Sequence, residues 1–434
     1  MRSLPTAVLL AGMMLNAQTL SELVDASRTA PLLKAAAARS AAAEAQHGAA
    51  EGGNYPSLDA RFSGTYFKEQ PVVYLQSSFA GVPPGTTLQT QSQQLYFGAL
   101  KLTYPLFTGF AISAGIETAK IEAMKARLEE ADARRNLYLR LVQTYAGAIA
   151  AEQLIRADDE ALASMERSYA KAEGFYAKGL LTESDLLRIK ADRIAVSAAG
   201  IRDRNRYETA LQQLSYLSDT NVTSVAPLPY LKSPEPQNMI ATALANRPDL
   251  KALKAELHLA REQERSAESG YYPTVALFGQ LASQGDTWEL NGDGYTNKDK
   301  SAAGFEVTYN LFSGNKTRHE REAARQAQLG AGWAVSAYEK QIRTDIRSSL
   351  LTADSLEGEC DAARARVAAE EAYAAQVEGQ FEAQLADADL LGRAIAALAK
   401  ARSELAVAEA RLYAERAVLL LQVGPETFEA ALKE

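Results

Sequence analysis

The sequence predicts an α+β membrane protein in which long helices and a few β-strands are arranged twice, once in each half of the chain. The intervals between Pro105 and Pro227 and between Pro273 and Pro425 lack proline and are rich in strong helix formers. Two other segments alternate apolar and polar residues, which is the period of a strand. The phrase LTYPLFTGF at 102–110 returns at 307–315 as VTYNLFSGN, which indicates an internal repeat.

The segment 1–17 has the pattern of a secretory signal peptide. Arg2 gives a positive start, Val8 to Leu15 form a short apolar core, and Ala17 is a small residue at the predicted cleavage point. No stretch of the chain reaches about 18 uninterrupted apolar residues, so the sequence predicts no transmembrane helix.

Charge and composition argue against several classes of function. The net charge of -8 disfavours a nucleic-acid-binding surface, which needs a basic stripe. The single cysteine, Cys360, has no second cysteine with which to form an internal disulfide or a thiolate metal site. His47, His258 and His319 lie far apart in the sequence, and we expect no metal and no other cofactor.

Further markers extend the repeat along the chain. The pairs matched at an offset of 217 are Pro31 and Pro248, Tyr55 and Tyr272, and Pro56 and Pro273, and Asp185 matches Asp389 at an offset of 204. The sequence therefore predicts a first repeat at 18–230 and a second at 231–434. Each repeat is expected to run helix, β insert, long helix, turn, long helix.

The first proline-free interval predicts a helix from about Ala111 to Ala177. At 1.5 Å per residue such a helix is roughly 100 Å long, so it must pack lengthwise against other helices. Its apolar positions follow the alternating spacing of three and four residues that marks a heptad seam. The seam positions are Ile121, Met124, Leu128, Ala131, Arg135, Tyr138, Val142, Tyr145 and Ile149, of which Arg135 alone is polar.

The two inserts predict strands at about 57–107 and 273–312. In the first, Leu58, Ala60 and Phe62 alternate with polar residues, and in the second Phe305 and Val307 do so. Windows 55–110 and 271–312 hold 19 of the 33 aromatic residues in less than a quarter of the chain. Strands with one apolar face, flanked by aromatic residues and separated by polar loops, are what a transmembrane β-barrel requires.

Each insert supplies two strands to this barrel, so one chain supplies four. Four strands cannot close, and an open edge in lipid would leave backbone N–H and C=O groups unpaired. If the strands are in a membrane, several chains must share one barrel, and three chains would supply twelve strands, enough to enclose a lumen. A homotrimer in contact with membrane lipid would satisfy this requirement.

The motifs that carry these elements resemble those of the TolC-like outer-membrane efflux proteins. They are NRPDL at 246–250, YYP at 271–273, YPLFTG at 104–109, YNLFSG at 309–314 and KGLLTESDLL at 178–187. The resemblance covers about Leu20 to Gly424. It implies a trimer with a twelve-stranded outer-membrane barrel and a long periplasmic α-barrel. It further implies a passive exit duct for an inner-membrane pump that a periplasmic adaptor joins to the channel.

On this resemblance, the repeated phrase marks the two points at which a returning strand becomes a long helix. Glycine would allow backbone conformations at each junction that other residues adopt only with strain. The Leu-Phe pair would pack there. The junction residues are Leu106, Phe107, Gly109, Leu311, Phe312 and Gly314.

The resemblance also implies sites at the turns between the long helices. Gly179, Leu180 and Thr182 match the tip that meets the adaptor, and Thr182 with Asp185 has the spacing of a helix start. Asp387 and Asp389 match acids that ring and constrict the periplasmic mouth, where carboxylates from three chains would favour cations. Gly392 stands where the family often has a further Asp, and solvated helix-tip acids remain the alternative interpretation.

Nothing in the sequence arranges a nucleophile with a base, so we expect no enzyme. The segment NGDGYTN at 291–297 lacks the glycine at position 6 and the glutamate at position 12 that a calcium-binding loop requires. It is interpreted as an external loop. Two alternative functions remain: an outer-membrane duct for type I protein secretion, and an envelope-attached coiled-coil scaffold. The scaffold would require the β inserts to be water-soluble domains.

Overall fold

A computed structural model describes residues 17–78, 80–229, 231 and 236–433. The signal-peptide prediction lies outside this part of the chain except for Ala17. The helices are α1 (Leu20–Ser27), α2 (Pro31–Glu51), α3 (Ala111–Ala177), α4 (Glu183–Ser218), α5 (Pro236–Asn246), α6 (Pro248–Glu268), α7 (Lys316–Glu382), α8 (Ala388–Val423) and α9 (Pro425–Ala431). The strands are β1 (Ser57–Tyr66), β2 (Val72–Tyr74), β3 (Thr87–Gln89), β4 (Gln94–Phe107), β5 (Thr274–Gly285) and β6 (Ala302–Thr308).

Elements of equal length recur in the two halves. Helices α3 and α7 each have 67 residues, and α4 and α8 each have 36. Both pairs begin at an offset of 205, whereas α2 and α6, of 21 residues each, begin at an offset of 217. The alignment of Asp185 with Asp389 at 204 is therefore wrong, because the helices that contain them begin at an offset of 205 and place Thr182 opposite Asp387.

The predicted long helix is confirmed with the predicted bounds, since α3 runs from Ala111 to Ala177. Its seam is buried from Arg135 onward, where the rings of Tyr138 and Tyr145 are fully enclosed. Met124 is 47% exposed, so this position of the predicted seam is not buried within the single chain.

The four predicted strands form one antiparallel sheet in the order β1-β4-β5-β6. Cross-strand pairing places Leu58 opposite Leu102, Leu100 opposite Leu281 and Leu277 opposite Phe305, so one face is apolar. Asp59 opposite Lys101, and Lys101 opposite Gln280, lie on the other face. The apolar face stays exposed, with Leu58 at 68%, Leu281 at 71% and Phe305 at 72%.

Two details of the β inserts differ from the prediction. The short strands β2 and β3 form a second, two-stranded sheet inside the first insert, which the composition of that loop did not indicate. Strand β6 ends at Thr308, before the predicted end at 312. Of the described residues, no helix is long and apolar enough to cross a membrane.

Two compact units divide the chain, and they do not follow the two predicted repeats. One unit takes the chain up to Arg39, Arg127–Ala252 and the chain from Ser336 onward. The other takes Ser40–Ala126 and Leu253–Val335, which include the four-stranded sheet. Each unit therefore combines segments from both halves, because helices and strands of one half pack against those of the other.

The all-helical unit has its main core around the rings of Tyr138, Tyr145 and Phe428. The Tyr145 hydroxyl donates to the backbone oxygen of Ala226 at 2.6 Å. A second core lies near the ends of α3 and α7 and includes Met165 and Phe381.

Candidate functional sites at the hairpin tips and strand–helix junctions

The first hairpin tip, between α3 and α4, closes in a Schellman motif. Gly179 has φ of 72°, its N–H donates to the Tyr176 oxygen at 2.9 Å, and the Leu180 N–H donates to the Phe175 oxygen at 2.9 Å. The Thr182 hydroxyl then accepts the Asp185 N–H at 3.3 Å and caps α4. The helix stop and start that the sequence predicted here are confirmed.

The second tip, between α7 and α8, makes the same turn without glycine. Gln384 has φ of 60°, its N–H donates to the Phe381 oxygen at 3.0 Å, and the Leu385 N–H donates to the Gln380 oxygen at 2.8 Å. Asp387 caps α8, since its Oδ1 accepts the Leu390 N–H at 2.7 Å. The AQLAD sequence thus gave no local signal for a turn that the tertiary structure nonetheless forms.

The two tips pack against each other inside the helical unit. The rings of Phe175 and Phe381 meet edge to face with centroids 6.0 Å apart. Ile189 and Leu391 lie in the same buried cluster. Leu180 and Leu385, the residues that follow the two turns, are 57% and 80% exposed, so each tip presents one leucine outward.

The two predicted gate acids have different surroundings. Asp387 acts as the helix cap, whereas Asp389 pairs with Arg188 of α4 at 2.5 Å and with Arg393 at 2.6 Å. The pair between Arg188 and Asp389 joins the two hairpins of one chain. Gly392 lies close to Asp192, because a Cβ at Gly392 would be 2.5 Å from the Asp192 Oδ2.

The first strand–helix junction, between β4 and α3, is densely packed. Gly109 has φ of 60°, and a Cβ there would lie 2.7 Å from the Ser269 oxygen. Phe107, Phe110 and Tyr272 form an edge-to-face trio with centroids 5.3 to 6.5 Å apart. Phe107 packs at the junction as predicted, while Leu106 remains 52% exposed.

The second junction, between β6 and α7, has the same backbone but no such packing. Gly314 and Asn315 have φ of 64° and 63°, close to the values of Gly109 and Phe110. Leu311 and Phe312 are 86% and 81% exposed, so the predicted packing of this pair is not found within the chain.

A buried ionic network explains the NRPDL motif, and sequence reasoning assigned it no role. The Oδ2 of Asp249 accepts from Arg135 at 2.8 Å, Arg247 at 2.7 Å and the Tyr338 hydroxyl at 2.7 Å. Burial alone would raise the pKa of Asp249, but the hydrogen bond from Arg247, the charge of Arg135 and the bond from Tyr338 lower it to about 2. The polar member of the α3 seam, Arg135, was the available signal.

A second buried carboxylate lies between α3 and α4. Asp158 is 8% exposed, and its Oδ2 is buried without a hydrogen-bond partner. Burial and the nearby Asp203 carboxyl raise the pKa of Asp158 to about 6. Asp203 in turn accepts from Arg206 at 2.8 Å.

No group of His, Cys, Asp and Glu with the geometry of a metal site occurs among the described residues. The lone thiol of Cys360 is buried, and burial raises its pKa, so it is a poor nucleophile. The tips and junctions therefore offer surfaces for packing and charge pairing.

The sequence matches one family of known proteins. Residues 23–218 and 239–424 match the sequence model of the family described as outer membrane efflux protein. The outer membrane efflux protein BepC of Brucella suis biovar 1 is 23% identical over 333 residues, which are 73% of this chain and 69% of BepC.

Solved structures share the fold. The outer membrane protein VceC of Vibrio cholerae superposes with a TM-score of 0.76 at 18% identity, covering 93% of this chain and 96% of VceC. The CmeC outer membrane channel of Campylobacter jejuni gives 0.77 at 17% identity, covering 95% of this chain and 86% of CmeC. The predicted likeness to TolC-like channels is confirmed. The chain belongs to the outer membrane efflux protein family.

Proposed function

We propose that three copies of this chain form an outer-membrane channel through which an efflux system expels its substrates. The observation that carries the proposal is the four-stranded sheet, whose apolar face is exposed and whose outer strands are β1 and β6. Leu58, Leu281 and Phe305 on that face would lie in water if the sheet were soluble. In a bilayer they face lipid, and the face with Asp59 and Lys101 lines the aqueous lumen.

The number of copies follows from closure of the barrel. Strands β1 and β6 end the sheet, and their outer backbone groups must be hydrogen-bonded inside a membrane. Three copies of this four-stranded sheet make a twelve-stranded barrel, which is wide enough for a lumen. The long helices of the same three copies form the periplasmic tube. The channel is passive, and an inner-membrane pump supplies the energy.

The hairpin tips are the proposed docking points for the periplasmic adaptor. Gly179 and Thr182 shape the first tip, and Leu180 projects from it with 57% of its surface exposed. Leu385 projects from the second tip. An exposed leucine on a well-defined turn offers apolar surface whose burial against a partner would be favourable.

The gate is proposed to lie at Asp389. Arg188 of α4 pairs with this carboxylate and thereby ties α8 to α4, while Arg393 pairs with it from within α8. When the pair between Arg188 and Asp389 opens, the two hairpins of one chain lose a charged link. Asp387 contributes to the negative mouth and keeps its role as a cap.

Isolation of the protein from separated membranes tests the proposal. Detergent extracts should contain a complex of three chains in the outer-membrane fraction, and this complex should conduct ions in a planar bilayer. A soluble monomer or dimer would contradict the channel and support the coiled-coil scaffold. Deletion of the gene should sensitise cells to small toxic compounds, whereas loss of a secreted protein alone would indicate type I secretion.

A further inference from the structure

We propose that β6 of one copy pairs with β1 of a second copy in one register, with Glu306 opposite Ser63, and that Phe312 packs against Tyr55 of that second copy. This interface rests on the proposed trimer. It assigns each strand residue a partner, which the number of copies alone does not do.

The pairing of β4 with β5 inside one chain is the template for this interface. Strand β4 returns from the insert of the first half, and it pairs with β5, which leaves along the insert of the second half. In that pairing Lys101 lies opposite Gln280, Leu100 opposite Leu281, and Phe107 opposite Val275. The rings of Phe107 and Tyr272 then meet edge to face at 6.5 Å.

The repeat offsets transfer this template to the two outer strands. The offset of 205 carries Lys101 to Glu306, Leu100 to Phe305 and Phe107 to Phe312. The offset of 217 carries Gln280 back to Ser63, Leu281 to Gly64 and Tyr272 to Tyr55. The returning strand of the second half, β6, therefore pairs with the outgoing strand of a first half, β1, which another copy supplies.

Strand β6 is shorter than its equivalent β4, which indicates that its pairing strand belongs to another copy. Strand β4 continues to Phe107 because β5 pairs with it there, whereas β6 stops at Thr308. The offset of 205 makes Tyr309 to Phe312 the equivalents of the last four residues of β4. Phe312 is 81% exposed and Tyr55 is 70% exposed, although their equivalents Phe107 and Tyr272 are in ring contact.

Residue size favours the same register. On the apolar face it places Phe305 opposite Gly64, Tyr66 opposite Ala303, and Tyr309 opposite Ala60. In these three pairs a large residue meets a small one, as Tyr96 meets Gly64 within the chain, while Val307 falls opposite Phe62.

A slip by two residues would instead set Phe305 against Phe62 or Tyr66. On the polar face Glu306 becomes a diagonal neighbour of Arg61, and opposite charges on neighbouring strands stabilise a pair. Residue size therefore favours the register from the repeat, whereas charge is compatible with it but does not exclude the slip that sets Glu306 opposite Arg61.

Disulfide trapping in the full-length protein tests the register. In a Cys360→Ala background, Ser63→Cys with Glu306→Cys forms the predicted pair. Directly opposite residues have Cα atoms about 4.5–5.5 Å apart, within the range of about 4.4–6.8 Å that a disulfide spans, whereas diagonal residues are about 7–8 Å apart. The matched controls pair Glu306→Cys with Arg61→Cys or with Thr65→Cys. After mild oxidation we expect covalent dimers and trimers at least tenfold more abundant for the Ser63 pair.

The outcomes separate this inference from the proposed function. A trimer that cross-links through Arg61 or Thr65, or through none of the three positions, overturns the register and leaves the channel intact. Failure of the unmodified protein to form a trimer in the outer membrane overturns both.

A second measurement tests the ring contact. Tyr55→Ala and Phe312→Ala should each lower the temperature at which the trimer dissociates by about 2–4 °C. The double variant should lose no more than the larger single loss. Additive losses would show that the two rings do not touch and would overturn that part of the proposal.

Discussion

At the scale of single residues, the most consequential side chain is the Asp249 carboxylate. It neutralises Arg135 and Arg247, which are 7% and 5% exposed, and it also accepts from Tyr338. Without this acceptor the buried Arg247 would lose both of its bonds to a carboxylate, and Arg135 would keep only its pair with Asp132. Through Asp249 the NRPDL motif thus joins α6 to α3 and α7, and we call this network the Asp249 clamp.

We predict that Asp249→Ala lowers the free energy of unfolding by about 3–5 kcal/mol, the usual cost of breaking a buried ion pair. Chemical unfolding in detergent measures the change. Glu117→Ala is the control, because Glu117 pairs with Lys120 at the exposed surface, where such pairs contribute about 0–1 kcal/mol. Equal losses in the two variants would contradict the clamp.

Asp158 makes stability depend on pH in the opposite direction from a salt-bridged acid. Its pKa is raised from 3.8 to about 6, so the folded protein holds the proton more tightly than the unfolded chain. Stability is therefore greatest below about pH 4 for this group and is lost as pH rises through about 6. The whole effect is about 3 kcal/mol.

Asp158→Asn should remove this dependence and leave the protein more stable than the parent above pH 6. Thermal unfolding at pH 4.5 and pH 8 gives the comparison. Asp159→Asn is the matched control, because Asp159 is half exposed and pairs with Arg204 at 2.5 Å. The prediction is wrong if parent and Asp158→Asn lose the same stability between the two pH values.

At the scale of elements, the hairpin turns show how much a local sequence decides. Gly179 and Gln384 both adopt left-handed backbone conformations in the same Schellman motif. Glycine does so without strain, whereas a residue with a Cβ loses roughly 1–2 kcal/mol. The second tip therefore depends on the packing around Phe381.

We predict that Gly179→Ala destabilises the first tip by about 1 kcal/mol through backbone strain alone, since a Cβ there meets nothing within 4 Å. Gly174→Ala, nearby inside α3, should stabilise the protein by a similar amount, because alanine is the better helix former. Thermal unfolding of both variants gives the sign. Two changes of the same sign would exclude this account.

The two strand–helix junctions offer a second matched pair. Gly109→Ala meets both a φ of 60° and the Ser269 oxygen at 2.7 Å, whereas Gly314→Ala meets a φ of 64° and open space. Gly109→Ala should therefore lower the yield of folded protein far more. Quantitative blotting of membrane fractions makes the comparison, and equal yields would remove the close approach as the cause.

At the scale of the whole molecule, the proposed trimer would couple folding of the sheet to assembly. Its apolar face is exposed, and its edge strands β1 and β6 belong to different halves of the chain. A single copy in lipid would leave both edges unpaired. Insertion and oligomerisation should therefore occur together.

Adjacent residues of β1 test which face meets lipid. Phe62→Arg places a charge on the apolar face and should reduce the amount of trimer, since a charge on a lipid-facing strand costs up to about 2–4 kcal/mol per copy, depending on its depth. Ser63→Arg places the same charge on the polar face and should be tolerated. The amount of trimer in the outer-membrane fraction is the measurement. Equal tolerance of both changes would contradict a transmembrane sheet.

Much of the fold could be predicted because its elements have strong local patterns. The bounds of α3, the helix start at Thr182 and the alternating strands follow from propensity, capping and period. The turn at Gln384 could not be predicted because the segment contains no glycine. The β2–β3 hairpin could not be predicted because its strands have only three residues each, too few to show an alternating pattern. The prediction that Phe312 packs at its junction was wrong for the single chain, in which this ring is exposed.

The sequence by itself determined that this protein has long helices, four alternating strands and two matching halves, because each of these features is a periodicity or a recurrence along the chain. Only the tertiary structure decided that the compact units mix the two halves, that Asp249 holds two arginines and that Asp158 is buried beside Asp203. These facts depend on which distant segments meet. Such meetings are set by the packing of whole helices and strands, and no local pattern of residues records them.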